Sequence, residues 1–230
     1  MMRRVCDYVK KGPSRDSRKI YVICEGSRDE VLYFGFFQNM SSNLQVIPIP
    51  SENGSDPLKL MKLAEERFCS DSSEFELDYS QGDMVWFVID TDSWQKEGKI
   101  KPLRDFCLRK NEEISKKGRS QKSYEVWNVV QSNPCFEIWL YYHVFAKRPN
   151  RKAVDKCASF KEFVSLSIKG GFNYQLHPIY LKDAIGNSRQ NFKTDKEGGP
   201  DLYSTELHLL GDFIFGFVKT ELAKLRNKLR

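Results

Sequence analysis

What the chain lacks narrows the field first. Its six cysteines, Cys6, Cys24, Cys69, Cys107, Cys135 and Cys157, stand singly, with no Cys-x-x-Cys pair and no histidine at zinc-ligand spacing. That argues against a zinc ribbon or a disulfide framework and predicts free, mostly buried thiols. Histidine is scarce, and His143, His177 and His208 lie far apart, so no Cys-His or Ser-His nucleophile pair is legible. No Gly-rich phosphate loop of Walker or Rossmann type is present, which argues against ATP hydrolysis. No apolar run approaches the roughly 18 to 20 residues that span a bilayer, and the charged start has no apolar stretch of signal-peptide type. A cytoplasmic protein with no membrane partner is expected.

What is present suits a folded protein. Hydrophobic residues make up 40% of the 230 and aromatics 13%, enough apolar material to offset the entropy of ordering. The 37 Lys plus Arg against 31 Asp plus Glu give a net charge of +6, a mild bias towards polyanions. The basic residues crowd the ends: Arg3, Arg4, Lys10, Lys11, Arg15, Arg18 and Lys19 at the start, Lys219, Lys224, Arg226, Lys228 and Arg230 at the finish. Either these are solvated termini or they meet phosphates, and Arg18 and Lys19 are the candidates for nucleic-acid contact nearest the folded body.

Residues 1–19 read as a basic arm. Ile20–Cys24 is a short β-branched run suited to a strand buried on both faces. It stops at Glu25-Gly26, and Ser27 then sits at a helix N-cap position with Glu30 as its capping-box partner, predicting a helix from Arg28 to about Asn39. Leu44–Ile49 is a second strand candidate, followed by a loop and a helix opened by Asp56-Pro57. The most apolar stretch, Met84–Ile89, ends abruptly in Asp90-Thr91-Asp92. A charged helix over about 101–117 precedes a strand over 124–130, and Ser132-Asn133-Pro134 is expected to start the next helix. This alternation predicts an α/β fold with a parallel or mostly parallel sheet flanked by helices over 20–147. From Arg148 to the end helices dominate, a helical C-terminal extension packed on the core. The aromatic set Trp127, Trp139, Tyr141, Tyr142 and Phe145 reads as core packing rather than a stacking platform.

In such a sheet ligands gather at the carboxyl ends of the strands. Glu25, Asp90, Asp92 and Glu137 are all expected there. Crowded carboxylates raise one another's pKa unless a cation neutralises them, and hard oxygen donors favour Mg²⁺ or Mn²⁺ over zinc. Taken singly each motif has a plain structural reading: Asp-x-Asp arises by chance, Glu25-Gly26 can be a turn, Glu30 can be only a capping acid. Glu137 can be a metal ligand, an orienter of metal-bound water, or a buried acid fixing an arginine. Ser132 or Asn133 can cap a helix with Pro134 at its first position, leaving N–H groups where a phosphate could sit, or Asn133 can be a cap and nothing more.

The order strand, Glu-Gly, strand, Asp-x-Asp resembles the TOPRIM domain of topoisomerases, bacterial primases and OLD-family nucleases. The finer match is to the RloB-like family. Its Cys-Glu-Gly-x-x-Thr-Glu-x-x-Tyr-Phe pattern stands here as Cys24–Phe34, with Asp29 in place of the threonine. Its Ser-Asn-Pro-Cys-Phe-Glu-x-Trp block is Ser132–Trp139, and Ser204–Leu210 approximates its Ser-Thr ending. A lysine that relatives carry after the tyrosine matched by Tyr174 is replaced here by Gln175 and Leu176. The resemblance covers residues 1 to 215.

It implies a TOPRIM-like, Rossmann-like sheet and a Mg²⁺- or Mn²⁺-dependent phosphodiesterase acting on DNA or RNA. Glu25, Asp90 and Asp92 would be metal ligands, with Glu30 and Glu137 as supporting acids. It further implies a prokaryotic phage-defence setting and a defence-system protein as possible partner. The rival expectation is an inactive module that uses the same acidic edge to bind nucleic acid, a nucleotide or a protein. A primase-like nucleotidyl transferase is a third.

Overall fold

Strand β1 (Arg18–Cys24) and strand β3 (Met84–Asp90) are almost wholly withdrawn from water, because both of their faces are covered. In the computed structural model, which describes residues 17–51, 56–91, 94–116 and 125–229, these two strands form the centre of a five-stranded sheet. The others are β2 (Leu44–Pro50), β4 (Trp127–Asn133) and β5 (Ser204–Thr205). The order is β2-β1-β3-β4-β5, parallel throughout except for the short antiparallel β5.

Alternation along each strand sends its side chains to two separate cores. Ile20, Val22 and Cys24 of β1 with Met84, Trp86 and Val88 of β3 meet helices α1 (Asp29–Gly35), α4 (Glu137–Tyr142), α7 (Leu181–Asn191) and α8 (Leu207–Lys228). Tyr21 and Ile23 with Val85, Phe87 and Ile89 meet α2 (Pro57–Phe68) and α3 (Ile100–Lys116). A third cluster joins α4 to α6 (Phe160–Ser167), with the short α5 (Arg151–Val154) beside α6. Residues beyond Arg148 therefore enter the sheet itself: β5 pairs with β4, and Leu207, Leu210, Ile214, Val218 and Leu222 share a core with β1 and β3. The aromatic set packs as core, with Trp127, Trp139, Tyr141 and Tyr142 buried. His143 is buried too, between the Tyr33 hydroxyl (3.1 Å) and the Trp139 carbonyl (3.0 Å), and desolvation pushes its pKa down to about 3. The five described cysteines are free, with Cys24, Cys107 and Cys135 buried. No helix among the described residues is long and apolar enough to cross a membrane.

Several local expectations need correction. The Asp56 cap holds: its carboxylate accepts from the N–H groups of Leu58 and Lys59 ahead of α2. Ser27 caps nothing; α1 starts at Asp29 with no side-chain cap and ends at Gly35, short of Asn39. Ser132 and Asn133 do not open a helix. They continue β4, because Ser132 pairs with Asp90 on one side and with Thr205 on the other, and α4 begins only at Glu137. The two-residue strand β5, with no apolar run to mark it, was not legible as a strand. Residues 1–16 of the basic arm, Asp92, Tyr124 and Arg230 lie outside the described residues.

Both borders of the sheet are interrupted. On β2, Pro48 and Pro50 carry no N–H to offer a neighbour. On β4, Asn111 of α3 imitates a strand: its amide accepts from the Trp127 N–H (2.9 Å) and the Val126 N–H (3.0 Å) and donates to the Trp127 carbonyl (2.8 Å). Glu206 serves Gln131 in the same way, accepting its N–H on the side chain (3.0 Å) and donating its own N–H to the Gln131 carbonyl (2.9 Å). Replacing Asn111 with alanine strips partners from three partly buried backbone groups, so Asn111→Ala should lose about 1–3 kcal/mol of unfolding free energy. Urea denaturation checks this; an unchanged midpoint would show that water takes over these bonds.

Candidate active site

The strand order reverses between β1 and β3: the chain leaves β1 for β2 on one side and returns to β3 on the other. Such a reversal opens a crevice at the carboxyl ends of the two strands, and two acids stand there. Glu25 follows β1 directly, its N–H donating to the Val88 carbonyl of β3 (3.1 Å). Its carboxylate lies across the crevice: Oε2 accepts from the Asp90 N–H (2.7 Å) and Oε1 from the Trp94 indole N–H (2.7 Å). Asp90 ends β3, and its Oδ1 accepts from the Phe136 N–H at the start of α4 (2.8 Å). A chain of hydrogen bonds thus runs from β1 through β3 to α4. Thr91 extends it, donating through N–H (2.8 Å) and Oγ1 (2.9 Å) to the Ser132 carbonyl.

Two further acids are buried at the helices that leave this edge: Glu30 in the first turn of α1 and Glu137 in the first turn of α4. Glu30 accepts from the Gly26 N–H (3.1 Å), closing the turn after β1. Desolvation, reinforced by the Glu137 charge, holds its carboxyl above the ordinary range. Glu137 Oε1 lies 3.3 Å from the Lys161 ammonium of α6, while Oε2 is buried with no hydrogen-bond partner. Burial alone would lower the Lys161 pKa, but the Glu137 and Asp90 carboxylates outweigh it and hold the ammonium above its usual value. Burial, then Glu137 and Asp90, pushes the Cys135 thiol up, so it is not a poised thiolate. The Tyr174 phenol is likewise raised, by burial and then by the neighbouring Asp29 carboxylate.

Of the residues singled out in the sequence, Glu25, Asp90, Glu30 and Glu137 converge on this one edge, and Asp92 lies outside the described residues. Ser132 and Asn133 belong to β4, and their side chains are engaged: the Ser132 hydroxyl bonds that of Thr205 (2.8 Å), and the Asn133 amide donates to the Pro200 carbonyl (2.8 Å). The Phe136 N–H of the same turn is bound to Asp90. Arg18 and Lys19 begin β1, roughly 20 Å from the acids at ~3.3 Å per residue. There Arg18 donates to the Gln81 carbonyl (3.0 Å) and lies over the rings of Phe213 and Phe217, while the Lys19 N–H is held by Asp83 (2.8 Å). Sequence reading missed Trp94 and Lys161, and met Tyr174 only as the match to a family tyrosine, with no role at this edge. Trp94 follows the Asp-x-Asp closely enough to be suspected of folding back on it; the other two reach the edge only through tertiary packing.

The donors at this edge are carboxylate oxygens, one of them orphaned, which is the chemistry that suits a hard divalent cation. In kind the residues fit Mg²⁺ or Mn²⁺. Among the described residues, however, no group of three or more His, Cys, Asp or Glu is placed to hold a metal ion, so a complete ligand set would need Asp92 or movement of Glu137. The model of the RloB-like protein family matches residues 20–213. A doubly wound α/β protein with an acidic strand-switch edge is thereby placed: the chain belongs to the RloB-like family. No curated protein and no solved structure matches it.

The crowding of Glu30 has a consequence for stability. A carboxyl whose folded pKa is raised binds its proton more tightly in the native state than in the unfolded one. The native state is therefore penalised as pH rises above the unfolded carboxylate pKa of ~4.3. Glu30→Gln keeps an acceptor for the Gly26 N–H but removes the charge, so it should be more stable than the parent at pH 7, the gain vanishing near pH 4. Denaturation at the two pH values checks this; an equal effect at both would show that charge is not the cause.

Proposed function

We propose that the protein is a divalent-metal-dependent phosphodiesterase that cuts nucleic acid, built on a TOPRIM-like sheet. In this reading it is a cytoplasmic component of prokaryotic phage defence, with a defence-system protein as possible partner. The observation that carries the reading is the set of four buried acids, Glu25, Glu30, Asp90 and Glu137, gathered at the switch of strand order with one carboxylate oxygen unpartnered. Asp90, Asp92 and Glu25 would hold Mg²⁺ or Mn²⁺, with Glu137 and Glu30 as supporting acids. Bound there, such an ion supplies Lewis acidity towards a phosphate oxygen and lowers the pKa of an attacking water.

The chain's own groups do the positioning. Trp94 and the Asp90 N–H fix the Glu25 carboxylate, so it need not reorganise when charge develops nearby. The Phe136 N–H fixes Asp90. Lys161, more than half exposed, is a cation at this edge that can meet a phosphate while remaining paired with Glu137. The net charge of +6 adds affinity for a polyanion that does not depend on sequence and falls with salt.

A second reading, a binder without cleavage, is favoured by one specific observation: both Glu25 oxygens already accept N–H bonds. The two part on one assay. Labelled single-stranded and duplex DNA and RNA are incubated with Mg²⁺, Mn²⁺ or EDTA. Cleavage is expected with metal and not with EDTA. Asp90→Asn keeps an acceptor for the Phe136 N–H and should lower the rate on the order of 100-fold or more. Absence of cleavage for every substrate and metal would leave the binder.

A further inference from the structure

A cavity of about 660 Å³ opens beside this edge, between the start of α3, the turn before it and the turn around Gly198. It adjoins the acids through two bonded links. Gln95, which lines it, follows Trp94, the residue that holds Glu25. Gln131, also lining it, donates from Nε2 to the Thr91 hydroxyl (2.9 Å), next to Asp90. The walls are of two kinds. Ile100 and Leu108 are apolar; Arg104 and Glu197 bring a donor fork and a carboxylate. Arg104 is preset, its Nη2 bonded to Gln131 Oε1 (3.0 Å) and Glu206 Oε2 (2.7 Å). Gln95 Nε2 donates to Asp195 Oδ2 (2.7 Å) and Glu197 Oε2 (3.0 Å), tying the two turns together.

We infer that this cavity takes one unpaired nucleotide base of the nucleic acid whose backbone lies at the acidic edge, so that the substrate class is single-stranded, or locally unpaired, DNA or RNA. The inference rests on the phosphodiesterase reading for the placement of the backbone. Its volume lies within the range of small-molecule sites and holds a purine with room for its sugar. Apolar walls accept the faces of a base, while a guanidinium and a carboxylate match the acceptors and amino donors along its edge. A base paired and stacked within a duplex does not offer both faces and its edge to such a recess, whereas a base that has left its stack does.

Gly199 offers a clean test. The atoms nearest a Cβ there are the Asp195 carboxylate at 3.5 Å and the Gln131 amide at 3.8 Å, ordinary contact distances, so Gly199→Leu adds apolar bulk at the cavity wall without a clash at Cβ. Leu108→Glu, at a position 54% exposed, is a second variant that changes the apolar wall without disturbing the core. Binding of a short fluorescein-labelled oligonucleotide, as DNA or as RNA, alone or annealed to its complement, is followed by anisotropy in EDTA, where no cutting intervenes.

The single strand should bind about tenfold more tightly than the duplex, and at least one folded variant should lose that margin. Equal affinity for the two forms, or an undiminished margin in both variants, would overturn the assignment. Cleavage with Mn²⁺ but no strand preference would remove the cavity proposal and leave the phosphodiesterase. Strand preference lost in a variant, without cleavage under any metal, would do the reverse.

Discussion

The hydrogen bond from the Asp90 N–H to the Glu25 carboxylate is the constraint on which the functional edge depends. It joins the ends of two neighbouring strands at the point where the chain has gone opposite ways, so it converts a topological gap into a fixed crevice. One carboxylate oxygen is spent on the backbone of β3 and the other on Trp94, and Asp90 in turn receives the first turn of α4. The two backbone bonds are buried and the Trp94 bond partly so, and hydrogen bonds withdrawn from water are worth more than those at a surface. Loss of either partner would leave a buried anion or a buried N–H, which costs more than the bond itself contributes.

How much of this was legible in the sequence follows from where each signal originates. Ile20–Cys24 and Met84–Ile89 read clearly because burial on both faces leaves an unbroken apolar run, and the acids after them inherited that clarity. The Asp56-Pro57 start of α2 is local chemistry and read equally well. Ser132-Asn133-Pro134 misled because its local cap signal competes with two long-range ladders, to Asp90 and to Thr205 and Ser204, and the ladders prevail. Arg18 misled for a related reason. A cluster of positive charge in sequence says nothing of the Phe213 and Phe217 rings, contributed by a helix near the other end of the chain, that receive its guanidinium. Lys161 carries no local mark at all, and Tyr174 none beyond its match to a family tyrosine; their proximity to Glu137 and Asp29 is a product of packing.

The four acids also differ in their surroundings, which keeps them from being one undifferentiated charge. Glu25 and Asp90 face N–H donors, Glu137 faces an ammonium, and Glu30 is stabilised by two backbone N–H groups and the Lys161 charge against a larger desolvation penalty. For Glu30 burial prevails, and its carboxyl is held above the ordinary range.

The mimicry of a strand by Asn111 reaches beyond the folding of one molecule. Sheets lengthen across copies when a border presents an unbroken row of donors and acceptors for a stranger to copy. Here one border is broken by Pro48 and Pro50, and the other is shared among a helix amide, a carboxylate and a two-residue strand. Templated fibril growth therefore meets a blunted rim on either side.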